Sequence, residues 1–374
     1  MTVFSELKTP CLLLDQQKLQ RNLHTMNEHV RTLGCNLRPH VKSSKCIEVV
    51  RQAQSPGAGG LTVSTLKEAE YFFAAGYNDI LYAVGIAPSK LDAVCTLLAQ
   101  GCHVMVITDN LVAAQAIFDH SVKHQVTIPT LIEIDSDGHR AGIKPLDPLL
   151  LAVGRTLGAN LRGIMTHAGG SYDCENIAAI EHYAKMERDE ALLSAEQLRR
   201  AGLACPVVSI GSTPTITFVD HLQGITEVRV GVYMFFDLFM TGLGVCNHHA
   251  IALSVLSTVI GHQTQKGWLL CDAGWMAMSR DRGTASQPID QGYGVVCNER
   301  GEPIEDLIVG KANQEHGIIF SRSAKSIDFG QFPVGSLLRI LPNHACATAA
   351  AHPGYQLVKG ETVLNEYWSR FSGW

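Results

Sequence analysis

From residue 37 to residue 233 the chain alternates short β-rich runs with helix-like stretches, and this alternation constrains the fold more than any other feature. The runs are LRPHVK at 37–42, LTVST at 61–65, ILYAV at 80–84 and HVMVIT at 103–108. They continue with TLIEID at 130–135, LRGIMTH at 161–167, VVSIG at 207–211 and EVRVGVY at 227–233. Helical patterning falls between them, around 45–54, 66–75, 89–100, 111–123, 146–157, 176–201 and 213–223. Thr65 and Ser89 stand where N-caps belong, and FFAAGY at 73–77 and RRAGL at 199–203 carry the glycine that closes a helix. Eight strands, each returning through a helix, predict an α/β chain built on a (β/α)8 TIM barrel. An open doubly wound sheet is the alternative, and the placement of polar residues separates the two.

Beyond about residue 243 the pattern changes. Apolar segments at 251–260, 267–271, 317–320 and 335–341 are separated by turns, without long helical stretches. This predicts a barrel over 11–242 and a second, mainly β domain over 243–374 with residues 1–10. The strand CLLLD at 11–15 is a further candidate for that second domain. A chain of 374 residues suits such a pair. A formal charge of −5 offers no basic stripe for nucleic acid and no polybasic membrane patch. No apolar run approaches the ~20 residues of a membrane span, and MTVFSELKTP lacks the form of a secretory signal. The 11 cysteines form no CxxC pair, which points to reduced thiols and a cytoplasmic enzyme.

In a TIM barrel the chemistry lies where strands end. The first strand ends in Pro39-His40-Val41-Lys42, and the fifth runs into Asp135, Asp137, Gly138 and Arg140. The sixth ends in His167, followed by Ala168-Gly169-Gly170-Ser171-Tyr172; the seventh ends in Gly211-Ser212-Thr213 and the eighth in Tyr233. Five polar strand ends of eight favour the barrel. A lysine at a strand end is ordinarily a solvated rim charge. Arg38, His40 and Lys45 would lower the Lys42 pKa if they pointed the same way, as a Schiff-base amine requires. Gly211-Ser212-Thr213 opens a helix after strand seven, a place where barrels bind phosphate, although an N-cap explains the same residues. Arg140 is either a surface arginine or a donor to an anionic ring oxygen.

Taken together, RPHVKSSK at 38–45, DSDGHRAGI at 135–143, THAGGSYD at 166–173, GSTPT at 211–215 and DAGWMAMSRD at 272–281 resemble the fold-type-III pyridoxal-phosphate enzymes. The resemblance is to the branch of D-threonine aldolases, D-serine dehydratases and D-3-hydroxyaspartate dehydratases. It implies an alanine-racemase-like barrel and a homodimer whose sites are shared between the barrel of one subunit and the β domain of the other. It further implies pyridoxal 5'-phosphate on Lys42, with Arg140 at the cofactor's O3′. Gly211, Ser212 and Thr213 would form the phosphate cradle, with Tyr233 beside it. His167 and Tyr172 would line the cofactor or substrate pocket.

PNHACAT at 342–348 contains His344-Ala345-Cys346. Alternate residues of an extended strand share a face, so both side chains would reach one ion. A thiolate with an imidazole favours zinc, ahead of manganese or magnesium. The resemblance places a metal pair here, in a His-x-Cys form associated with dehydratases and a His-x-Asp form commoner in aldolases. The expected reaction is therefore dehydration of a small D-3-hydroxy amino acid, such as D-serine or D-threo-3-hydroxyaspartate, to a 2-oxo acid and ammonia. The alternative is retro-aldol cleavage to glycine and an aldehyde, with His167 as base. A racemase has no use for the metal pair, and a barrel-only cofactor carrier would lack the second domain. His248-His249 and Glu315-His316 read as turns. Arg280 and Arg282 are candidates for a substrate carboxylate, and Trp275 is either core or part of a loop over the site.

Overall fold

A computed structural model describes residues 3–54 and 59–374. Eight strands alternate with helices as the sequence pattern requires. After β1 (Cys11–Asp15) come β2 (Asn36–Leu37), β3 (Leu61–Val63), β4 (Asp79–Gly85), β5 (His103–Thr108), β6 (Thr130–Ile134), β7 (Leu161–Thr166), β8 (Val207–Ile210) and β9 (Glu227–Val228). β2 to β9 form a parallel sheet in the order β2-β9-β8-β7-β6-β5-β4-β3. Its two edges meet through a parallel bridge between His40 and Thr62, joined by Val41 N–H to Thr62 O and Thr62 N–H to Pro39 O. Leu81, Ile107, Leu131 and Met165 pack together as one apolar cluster of this sheet. All five residues of β6 are buried, as in a strand covered on both faces.

The helices are α1 (Gln16–Thr32), α2 (Ile47–Ala53), α3 (Leu66–Ala74), α4 (Leu91–Ala99), α5 (Leu111–His124), α6 (Pro148–Leu157), α7 (Ile177–Arg200) and α8 (Thr213–Phe218). Thr65 caps α3 by accepting from the Glu68 N–H, and the Glu68 carboxylate accepts from the Ser64 N–H. The cap expected at Ser89 is not there: Pro88–Lys90 is a turn of 3-10 helix and α4 begins at Leu91. Proline at the start of that segment favours the tight turn and shifts the α-helix onward. Gly202, at φ +74°, closes α7, with the Leu203 N–H returning to Leu198 O.

The first barrel strand is shorter than LRPHVK suggested. Pro39 has no N–H to give, so the ladder covers only Asn36–Leu37, and Val41–Ser44 form a turn. Lys42 therefore stands on a turn just past the strand.

The remaining strands are β10 (Leu253–Gln263), β11 (Trp268–Cys271), β12 (Gly294–Cys297), β13 (Pro303–Ala312), β14 (Gly317–Ser321), β15 (Leu337–Pro342), β16 (Gly354–Lys359) and β17 (Thr362–Ser369). With β1 they form a nine-stranded sheet in the order β11-β14-β13-β12-β15-β10-β1-β16-β17. A further β10–β11 pairing closes six of these strands on themselves, which removes the edges of that part. β1 lies antiparallel to β10 and parallel to β16. Contacts divide the chain into one unit of the described residues up to His24 with Val232–Ser372, and another of Thr25–Gly231 with Gly373–Trp374. The sequence reading drew its boundaries at 10/11 and 242/243.

Candidate active site

The barrel strands deliver a cluster of positive and titratable groups at their C-terminal ends. Lys42 is exposed on its turn. Its charge reaches both His40 and His167, and so does that of Arg229. Burial is the main cause that holds His40 well below the usual imidazole range, with Lys42, Arg229 and His167 adding to it. Burial likewise lowers His167 to about 4; the bond to Gly211 O opposes this, while Lys42, Arg140 and Arg229 reinforce it. Lys42, Arg140, His167 and Arg229, read from four different strand ends, thus act on one another.

Two of the charges expected to crowd Lys42 are directed elsewhere. Arg38 lies buried on Asp79 and Glu227, at 2.9 and 2.8 Å, and Lys45 pairs with the buried Glu68 at 2.9 Å. Arg229 takes their place in the cluster. Its guanidinium is 4% exposed and donates to Ser209 Oγ and Thr166 O. Ser209 in turn donates to Glu227 at 2.7 Å, so Arg38, Glu227, Ser209 and Arg229 form one chain of hydrogen bonds. Neutralised from below, Arg229 keeps its charge despite a burial that pulls its pKa down.

His167 Nδ1 lies 2.9 Å from Gly211 O, which accepts only, so Nδ1 carries the proton and Nε2 keeps a lone pair. The Tyr172 ring lies 6.0 Å from that of His167. Arg140 is mostly exposed and makes a long contact of 3.5 Å with Glu133. Its loop is shaped by carboxylates: Asp135 accepts from the Gly138 N–H and Asp137 from the N–H groups of His139 and Gly170.

The Gly211-Ser212-Thr213 segment is built differently from a simple ring of free N–H groups. The Gly211 N–H donates to Glu187 at 3.0 Å and the Ser212 N–H to Thr215 Oγ1 at 3.2 Å. Gly211 is required for its conformation: φ is +137°, and a Cβ would stand 2.5 Å from Arg229 O. Ser212 and Thr215 form a capping box at the start of α8. Thr213 Oγ1 is buried with no hydrogen-bond partner among the described residues.

In the other unit, Tyr233 is fully buried and its hydroxyl also has no such partner. Burial pushes its pKa up. Buried polar atoms are ordinarily paired, so orphans of this kind mark places for a polar ligand.

The candidate metal pair departs from its expected geometry. His344 is the extended N-cap of α10 (Ala345–Ala350) and Cys346 lies in the first turn of that helix, so strand alternation does not bring them together. The cause lies in buried Asp237, at the cap of α9 (Leu238–Gly242). It accepts from the Met240 N–H at 2.9 Å and the Ala345 N–H at 2.8 Å, and turns the chain there. Buried Asn343 braces the same turn through Thr284 and Gly292. His344 nevertheless meets Cys346, and its Nδ1 lies 2.6 Å from Asp281. Burial pulls the imidazole pKa down, but the hydrogen bonds to Asp281 and Cys346 and the Asp237 charge drive it up to about 11. Among the described residues, no three His, Cys, Asp or Glu side chains are gathered as a metal site. Arg282 is committed to Asp290, while Arg280 lies 5.0 Å over the Trp275 ring.

Sequence reasoning missed Arg229, Glu187, Asp237 and Asp281. Only Asp281 lay inside a motif singled out from the sequence. All eleven cysteines are free thiols, and no helix among the described residues is long and apolar enough to cross a membrane.

A family model described as "Alanine racemase, N-terminal domain" matches residues 14–238, and one described as "Putative serine dehydratase domain" matches residues 252–358. D-threo-3-hydroxyaspartate dehydratase of Delftia sp. (strain HT23) is 50% identical over 374 residues, covering 98% of each chain. Its solved structure superposes with a TM-score of 0.97 over 100% of both chains. That enzyme has also been solved as a His→Ala variant and as a Cys→Ala variant in the metal-free form, the two substituted residues standing two apart. D-serine dehydratase of Dictyostelium discoideum is 31% identical, covering 97% of this chain and 96% of its own. The solved D-threonine aldolase from Filomicrobium marinum is 25% identical, with a TM-score of 0.82 over 99% of this chain and 97% of that one.

Proposed function

Because the chain belongs to the family that joins an alanine racemase N-terminal domain to a serine dehydratase domain, we propose that it is a lyase that removes water, then ammonia, from a D-3-hydroxy amino acid. The observation that carries this reading is its end-to-end similarity, at 50% identity, to a D-threo-3-hydroxyaspartate dehydratase. D-serine dehydratases are related along their whole length as well. The substrate assigned first is D-threo-3-hydroxyaspartate, with D-serine second.

Pyridoxal phosphate fits the barrel cluster. Lys42 would hold its carbonyl carbon, Arg140 its ring oxygen, and Thr213 and Ser212 its phosphate, with Gly211 leaving the room. The orphaned hydroxyl of Thr213 supports this. The cofactor supplies an electron sink for charge developing at Cα. A divalent ion fits His344 and Cys346, with Asp281 fixing the imidazole from behind. The thiol favours zinc over manganese or magnesium, and a site of two protein ligands leaves positions open for the substrate hydroxyl. The ion supplies Lewis acidity to that hydroxyl. The spacing of the two substituted residues in the solved dehydratase variants equals that of His344 and Cys346.

The protein's own groups then divide the work. Lys42 takes the Cα proton, and burial, reinforced by the Arg229 charge, keeps His40 and His167 neutral. His167, fixed by Gly211 O, orients ligand through Nε2. The aldolase alternative asks His167 to take up a hydroxyl proton, and a ring held neutral down to about 4 accepts one poorly. The reading includes a homodimer with shared sites and a cytoplasmic setting, which the free thiols support.

The test is to offer the cofactor- and metal-loaded protein D-serine, D-threonine and D-threo-3-hydroxyaspartate. Ammonia with pyruvate or oxaloacetate is expected; glycine with an aldehyde would reverse the ranking. Lys42→Ala should abolish the visible absorbance of bound cofactor, and Cys346→Ala should lower metal content.

A further inference from the structure

Glu187 lies in the middle of α7, 0% exposed, yet all its polar contacts are to the active-site end of the barrel. Its Oε1 accepts from the Ala168 N–H at 2.9 Å and the Gly211 N–H at 3.0 Å. Its Oε2 accepts from Thr215 Oγ1 at 2.7 Å. One carboxylate therefore ties together the segments that follow β7 and β8 and the first turn of α8.

The proton bookkeeping gives it a second effect. With its hydroxyl proton committed to Glu187, Thr215 can only accept from the Ser212 N–H. Ser171 donates to Ala168 O, so its 2.9 Å contact with Ser212 also draws on Ser212. Glu187 thus fixes the Thr215 end of a chain of hydroxyls whose Ser171 end is fixed by Ala168 O. The chain does not reach Thr213 Oγ1, a buried hydroxyl with no partner among the described residues. Burial pushes the Glu187 pKa up, and three donors and the nearby Arg229 charge offset only part of that cost. A residue needed only to fill space in α7 would be apolar.

We infer that Glu187 is the positioning residue of the phosphate cradle: it uses up the Gly211 N–H and fixes one end of the hydroxyl chain, and Thr213, outside that chain, is left to meet the cofactor's phosphate. This rests on the reading that Gly211, Ser212 and Thr213 receive that phosphate. It concerns a residue that touches neither cofactor nor substrate, so it predicts an effect confined to the phosphate.

The experiment titrates cofactor-free protein with pyridoxal phosphate and with pyridoxal, following the absorbance of the bound ligand. Glu187→Ala should weaken pyridoxal phosphate about tenfold or more, as loss of one buried hydrogen bond implies, and change pyridoxal by less than about threefold. Glu187→Gln keeps an acceptor for the two backbone N–H groups but presents a donor to Thr215, so it should give a smaller selective loss. It also serves if the alanine variant fails to fold. Equal losses for both ligands, or no loss for either, would overturn the inference. Thr213→Val tests the underlying reading. If it erodes the preference for the phosphorylated ligand while both Glu187 variants keep it, Glu187 alone is misassigned. If it leaves the preference intact, the cradle and the inference fail together.

Discussion

Lowering the pH should loosen the barrel through His167, and the size of the effect follows from its surroundings. The ring is half-buried, faces the charges of Lys42, Arg140 and Arg229, and gives its Nδ1 proton to Gly211 O. Its pKa is about 4 in the fold against about 6.5 in an unfolded chain. The neutral ring is the form the fold accepts. Above about 6.5 neither state binds the second proton and the full stability is present. Between about 6.5 and 4 the unfolded chain takes up a proton that the fold refuses, so stability falls as pH falls. A gap of about 2.5 pH units at ~1.36 kcal/mol each amounts to roughly 3 kcal/mol at the acid end. His40 is lowered as well and adds to the same slope. Urea unfolding of cofactor-free protein, followed by helical circular dichroism from pH 7.5 down to 5, would show this. The His167→Gln variant should lose close to one proton of the wild-type uptake on unfolding. An unchanged slope would show that the ring protonates as freely in the fold as out of it, and the electrostatic account of the cluster would fail.

Asp281→Asn should weaken zinc binding about 10- to 100-fold, because the imidazole loses the carboxylate that orients it; zinc titration against a competing chelator measures this, and an unchanged affinity would separate Asp281 from the metal. Glu227→Gln removes the charge paired with Arg38 and leaves one acceptor oxygen where Arg38 and Ser209 each had their own, so it should cost about 3–5 kcal/mol in urea unfolding. A loss below about 1 kcal/mol would mean that the buried chain carries little of the barrel's stability.

The alternation of strands and helices made the barrel readable, because the strands are mostly buried and join one parallel sheet. The candidate site was readable where residues lie in the segment after a strand, as Lys42, Arg140, His167 and Thr213 do. It was opaque where a side chain acts across distance in the sequence. Glu187 sits in KMERDEA, a run indistinguishable from a solvated helix face, and its partners lie 19 to 28 residues away. Arg229 reads as a polar residue inside an apolar strand until Glu227, Ser209 and Thr166 are placed around it. His344 and Cys346 were found by residue type, yet their geometry was misjudged. The turn that joins them is imposed by Asp237, 108 residues from Ala345. Local pattern reports periodicity and caps; it is silent on which distant carboxylate will pin a turn.

The position of β1 has a consequence for synthesis. Leu13 pairs with Ser254 on one side and Gln356 on the other. The strand CLLLD is made well before its neighbours: Ser254 follows Leu13 by about 240 residues and Gln356 by about 340. At roughly 5–20 residues per second, that is a wait of roughly twenty seconds to a minute. Until β10 is made both edges of this apolar strand are open, and one edge stays open until β16 follows. A message truncated before β16 would therefore release a chain whose barrel sequence is complete but whose β1 lacks that neighbour, a substrate for proteolysis or aggregation.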